Sequence, residues 1–185
     1  MARSTPAPSL PDARTSSVPV VLQNRQRAVT INRAWLGRTA ESILAAAHAE
    51  ATELSLVLVS DRCMRALNRR YRNKDRPTDV LAFPMYESCP PKRRSAAPAA
   101  SVAARSGYPL PPMQRVMSGV LIGDVVISLP TAKRQAAVLG HSLRAEVARL
   151  LVHGILHLLG YDHERSVRAA SAMTRKEKAI LRKIR

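Results

Sequence analysis

Short apolar runs alternate with amphipathic segments along this chain. VPVVLQN, from Val18 to Asn24, predicts a first strand, with Pro19 near its start as suits a sheet edge. INRAWLGRTAESILAAAHAE predicts an amphipathic helix, marked by Trp35, Leu36, Ile43 and Leu44 at helical spacing. ELSLVLVS is a Leu/Val-rich second strand bounded by Ser60 and Asp61. Asp61 reads as the N-cap of a helix over DRCMRALNRRYR, with Met64, Leu67 and Tyr71 on one face and the arginines outside. TDVLAFP, closed by Pro84, and LIGDVVIS predict a third and a fourth strand. Pro130 suits the first turn of a helix that runs through Leu139 and stops at Gly140. Ser142 caps a long apolar helix, SLRAEVARLLVHGILHLLG. A last helix from Val167 to Ile184 carries Met173, Ile180, Leu181 and Ile184 on its apolar side. Strands mixed with helices, without strict βαβ alternation, point to an α+β layer.

Two segments break this rhythm. Residues 1–17 are rich in Pro, Ser and Ala and predict a disordered N-terminal tail. Residues 86–118 hold six of the 13 prolines together with the basic run Lys92 to Arg94, and predict an inserted basic loop. The 185 residues suffice for one domain with a real core, placed at residues 18–185, and are too few for two ordinary ones.

Composition narrows the class. No apolar run approaches the ~20 residues that span a bilayer, so no membrane role is expected. The N-terminus lacks the apolar centre of a secretory signal. Cys63 and Cys89 show neither metal nor disulfide spacing, so a reduced, cytoplasmic location is the expectation.

Charge changes the picture more. Thirty Lys+Arg against 13 Asp+Glu give a net charge of +17. The excess is clustered: Arg62 to Arg76 hold seven basic residues and one acid, and Glu164 to Arg185 hold eight basic residues and two acids. Both clusters fall in predicted helices or beside them, which favours a nucleic-acid partner over loosely charged tails. An aromatic content of 3% argues against a base-stacking single-strand platform.

The candidate chemistry lies in HGILHLLGYDH, His153 to His163. His153 and His157 stand four apart and share one helix face. His163 follows Gly160, which can end the helix in the left-handed conformation and turn the chain back. Three neutral imidazoles suit Zn²⁺ and leave a fourth position open to water, as in catalytic rather than structural zinc sites. The spacing is that of the metzincin zinc helix, HExxHxxGxxH, except that Gly154 stands where the glutamate base would be. That departure weakens a peptidase reading. Gly154 is compatible with close packing or with close approach of a substrate.

Three ordered motifs resemble the YbeY family of bacterial metal-dependent endoribonucleases. They are LNRRYRNKDRPTDVLAFP (Leu67 to Pro84), IGDVVIS (Ile122 to Ser128) and VHGILHLLGYDH (Val152 to His163), with weaker likeness in VVLQNRQ and MTRKEKAIL. The resemblance implies a small mixed four-stranded sheet packed with about five helices, and one zinc per chain held by His153, His157 and His163, with no small-molecule cofactor. It further implies single-strand-specific cleavage in ribosomal RNA processing (16S rRNA 3′-end maturation) and ribosome quality control, with ribosomal RNA and the small ribosomal subunit as partners. The family's functional arginine corresponds by position to Arg72, which with the three histidines completes the candidate catalytic set. A guanidinium can clamp a phosphate bidentately and stabilise charge that builds during phosphoryl transfer.

Four acids are secondary candidates. Asp124 reads as a strand-start residue that could face the cleft. Glu146, seven residues before His153, could orient a ligand from the same helix face. Asp162 could hold the turn or a ligand nitrogen, and Asp79 reads as structural. Two rival functions remain: a non-catalytic RNA-binding ribosome assembly factor with structural zinc, and a metallopeptidase using another base such as Glu164.

Overall fold

The computed structural model describes residues 20–49, 52–85, 120–164 and 166–184. The expected tail at 1–17, the insertion at 86–118 and Cys89 lie outside the described residues.

Among the described residues, four strands and five helices follow in the order β1 (Val20–Asn24), α1 (Arg33–Ala47), β2 (Thr52–Val59), α2 (Asp61–Arg72), β3 (Val80–Pro84), β4 (Val120–Ser128), α3 (Leu129–Val138), α4 (Leu143–Leu158) and α5 (Val167–Lys183). The sheet order is β1-β2-β4-β3, with β1 parallel to β2, β2 parallel to β4, and β3 antiparallel to β4. This is the expected α+β fold with a small mixed four-stranded sheet, and β1 takes an edge.

Strand alternation divides the core in two. Leu54, Leu56, Leu58, Val125 and Ile127 point to one side, where they pack with Leu36, Ile43, Leu44, Leu150, Leu151 and Ile155 of α1 and α4. Val57, Val59, Leu81 and Val126 point to the other side, against Met64 and Leu67 of α2. Helix α4 therefore lies between the sheet and other helices. Its residues Leu150, Leu151, Val152, Gly154, Ile155, Leu156 and Leu158 are buried, which explains the nearly continuous apolar sequence.

Each helix starts on a polar side chain that accepts from the first turn: Asn32, Ser60, Ser128, Ser142 and Ser166. The expected cap Ser142 holds. The expected cap Asp61 does not: Ser60 caps α2, and Asp61 is its first helical residue. The Asp61 carboxylate instead accepts from Ser128 Oγ at 2.6 Å and Thr131 Oγ1 at 2.7 Å, and pairs with Arg134 at 2.7 Å. It ties the start of α2 to the start of α3. Burial opposes its charge, but hydrogen bonds from Ser128, Thr131 and Arg134 outweigh that and hold its pKa below the usual 3.8.

Candidate metal centre

Helix α4 presents His153 and His157 one turn apart, and their Nε2 atoms face each other at 3.2 Å. The helix ends at Leu159, and Gly160 takes the left-handed conformation with φ +87°. Tyr161 N–H then donates back to the Leu156 carbonyl at 3.0 Å, which reverses the chain. Asp162 secures the turn by accepting from the Glu164 N–H at 2.9 Å. His163 is thereby returned to the helix face, its ring centroid 5.3 Å from that of His153 and 5.0 Å from that of His157. One nitrogen from each of the three rings lies within 4.8 Å of the others.

The donor set fits a small divalent cation. Tetrahedral Zn–N bonds of 2.0–2.1 Å place neighbouring nitrogens about 3.3–3.4 Å apart, close to the His153–His157 separation. His157 is driven below the ordinary imidazole range, first by burial and then by repulsion from His153 and His163, so its neutral, ligating form is favoured. His153 and His157 are half-buried and His163 is exposed, so the group opens to solvent on the side of the turn.

Gly154 has a packing explanation. A Cβ on it would stand 2.9 Å from Val125 Cγ1, 3.2 Å from Val125 Cγ2 and 3.4 Å from Val80 Cγ2. The position faces the sheet, so a glutamate here would be driven among valines. The general base of a zinc peptidase has no room at this residue.

Arg72, the last residue of α2, reaches this neighbourhood through an ion pair. Its Nη2 lies 3.1 Å from Oε1 of Glu164, the residue after His163. Buried Asn68 supports this corner, donating from Nδ2 to the Arg76 carbonyl at 2.7 Å and so drawing in the loop after α2. The other basic residues between Arg62 and Arg76 are exposed. Only Arg65 and Arg69 approach the single local acid, Asp75, at 2.7 and 4.0 Å.

The secondary candidates divide. Asp79 is structural as expected: it accepts from the Val80 N–H at 2.9 Å, Thr78 Oγ1 at 3.0 Å and Gln135 Nε2 at 3.1 Å. Asp124 is not at a strand start but buried within β4, opposite Ser55 and Phe83. By alternation it shares the face of Val126, the one covered by α2, away from the histidine helix. Glu146 does not orient a histidine ligand. It is fully buried, bonded to Arg149 and 3.1 Å from His141 Nε2.

The carboxylate that does meet a histidine of the site is Glu177 of α5, whose Oε1 lies 2.7 Å from His153 Nδ1. Sequence reasoning missed it. Glu177 is one of only two acids among the eight basic residues from Glu164 to Arg185. Two signals were available: that scarcity, and its place within MTRKEKAIL, a segment with likeness to the family.

Among the described residues no helix is long and apolar enough to cross a membrane. A solution structure of TM1509 from Thermotoga maritima shares the fold, with a TM-score of 0.55 at 22% identity over 89% of this chain and 88% of that one. An Endoribonuclease YbeY of Persephonella marina is 40% identical over 84% of this chain and 86% of its own length. One of Pelotomaculum thermopropionicum is 41% identical over 89% and 95%. The sequence profile of the family described as Endoribonuclease YbeY matches residues 21–185. The chain belongs to the endoribonuclease YbeY family.

Proposed function

We propose that this protein is a zinc-dependent endoribonuclease that cuts single-stranded regions of ribosomal RNA, through one domain spanning residues 18–185. The observation that carries the reading is the convergence of three imidazole nitrogens within 4.8 Å beside an arginine-bearing helix end. His153, His157 and His163 would hold the ion. When bound, zinc supplies Lewis acidity toward a phosphoryl oxygen and acidifies water.

The chain's own residues do the rest. Arg72 leaves Glu164 for the scissile phosphate and fixes it by a charged, bidentate contact. The exposed arginines of α2 and the basic side chains of α5 hold the flanking backbone and release its counterions. The half-buried setting of His153 and His157 lowers the local dielectric, so fixed charges act more strongly on the phosphate there than in bulk water. We further assign it a role in 16S rRNA 3′-end maturation and ribosome quality control, on the small ribosomal subunit in the cytoplasm, a reading that membership of the endoribonuclease family supports.

The test compares wild type and His157→Ala, freed of contaminating nucleases, on RNA containing both single-stranded and duplex regions. Wild type should cut the single-stranded regions and lose that activity on chelation, with zinc restoring it. His157→Ala should not cut. Equal cleavage by both proteins would refute the reading, and no cleavage by wild type would leave an RNA-binding assembly factor with structural zinc in its place.

A further inference from the structure

The bond between Glu177 and His153 joins two helices through residues 24 apart in sequence. It is also charge-assisted and sheltered: the side chains are 22% and 27% exposed. With the carboxylate oxygen accepting, a neutral His153 ring carries its proton on Nδ1 and its lone pair on Nε2. That Nε2 is the atom that faces His157 Nε2 at 3.2 Å. The hydrogen bond made by one ring nitrogen thus sets which nitrogen is free to ligate. Helix α5 is rotated to deliver this carboxylate by Met173 and Ile180, four residues before Glu177 and three after, both about 1% exposed in the core. Arg149, one turn before His153 on α4, sits within electrostatic reach of Glu177 while bonded to Glu146.

We propose that Glu177 is a positioning residue of the metal centre: it fixes the tautomer and ring orientation of His153 so that Nε2 is presented to the ion. The proposal rests on the reading that the three histidines hold zinc. Its rival is a plain tie between α5 and α4, which would stabilise the fold without affecting the ligand.

Metal affinity and tautomer separate the two. Full-length wild type, Glu177→Ala, Glu177→Gln and His163→Ala are stripped of metal and titrated with zinc against a chromophoric chelator. Glu177→Ala should bind zinc roughly 10- to 100-fold more weakly, the usual effect of removing a ligand's hydrogen-bond partner. Glu177→Gln retains an acceptor oxygen without the charge and should lose less. Nitrogen-15 histidine spectra of the zinc-free proteins should show the His153 proton on Nδ1 in wild type and Glu177→Gln, and shifted toward Nε2 in Glu177→Ala. Unchanged zinc affinity and an unchanged tautomer in Glu177→Ala, with only a lower melting temperature, would overturn the proposal in favour of the plain tie. Should Glu177→Ala fail to fold, a His153 proton found on Nε2 in the zinc-free wild type would overturn the proposal by itself. Zinc held no more tightly by wild type than by His163→Ala would refute the zinc reading, and this proposal with it.

Discussion

Arg72 and Glu164 stand 92 residues apart in sequence and meet at 3.1 Å, which brings the end of α2 to the turn that carries His163. The pair is exposed, at 43% and 67% of the two side chains, so it contributes at most about 1 kcal/mol to stability. Its consequence is placement: the guanidinium is held at the turn that carries His163, by a carboxylate that a phosphate would replace on the proposed function. Arg72→Ala should lower kcat/KM on RNA roughly 10²- to 10³-fold without a measurable change in melting temperature. Glu164→Gln removes the competing charge and should tighten RNA binding about two- to five-fold, the equivalent of an exposed ion pair. Cleavage kinetics and filter binding at one fixed salt concentration measure both. Wild-type kinetics in Arg72→Ala would remove the phosphate role from that residue.

Gly154 should be intolerant of any side chain. Alanine there puts a carbon 2.9 Å from Val125 Cγ1, inside the core, and α4 must move away from the sheet. The expected cost is about 1–3 kcal/mol in urea denaturation, with weaker zinc binding because the same helix carries His153 and His157. Gly154→Glu, which restores the zinc-peptidase motif, should destabilise further and yield no peptidase activity. A stable, proteolytic Gly154→Glu would contradict the packing seen here.

Gly160→Ala tests the turn. The residue sits at φ +87°, where an L side chain is strained by about 1–2 kcal/mol. The loss should appear in the zinc affinity as well as in stability, because relaxing the turn withdraws His163 from its two partners. Wild-type metal binding in this variant would mean that His163 does not depend on the turn.

Asp61 should govern part of the acid sensitivity. Its folded pKa lies below the unfolded 3.8, so the ionised carboxylate stabilises the fold above about pH 4 and that contribution fades as pH falls toward the folded value. Asp61→Asn should cost about 1 kcal/mol at pH 7, discounted for a side chain 31% exposed. The gap between wild type and variant should narrow as urea titrations move from pH 5 to about pH 2.5. A gap constant with pH would show that hydrogen-bond geometry, not charge, is what Asp61 contributes.

Much of this architecture was legible in short windows of sequence. The four strands, the five helices, the cap at Ser142 and the pairing of His153 with His157 are signalled by patterns that repeat over one to four residues. The charge of α2 was legible for the same reason, since a helix with Met64 and Leu67 inward must carry its arginines outward. Even the closure of His163 was foreshadowed by Gly160, because few other residues adopt that backbone conformation at little cost.

Most of the errors concern which distant partner a polar group meets. Ser60 and Asp61 are both good caps, and the choice fell to Ser60 because Ser128 and Thr131 arrive from β4 and α3 to occupy Asp61. Glu146 lies on the histidine helix, yet its carboxylate is taken by Arg149 and His141, while Glu177 reaches His153 from another helix. Gly154 could be read as packing or as access until Val125 and Val80 were placed beneath it. Periodicity and capping are local and so are written into neighbouring letters. The partner of a carboxylate or the wall facing a glycine depends on how helices pack across a sheet, and those contacts exist only once the chain has folded.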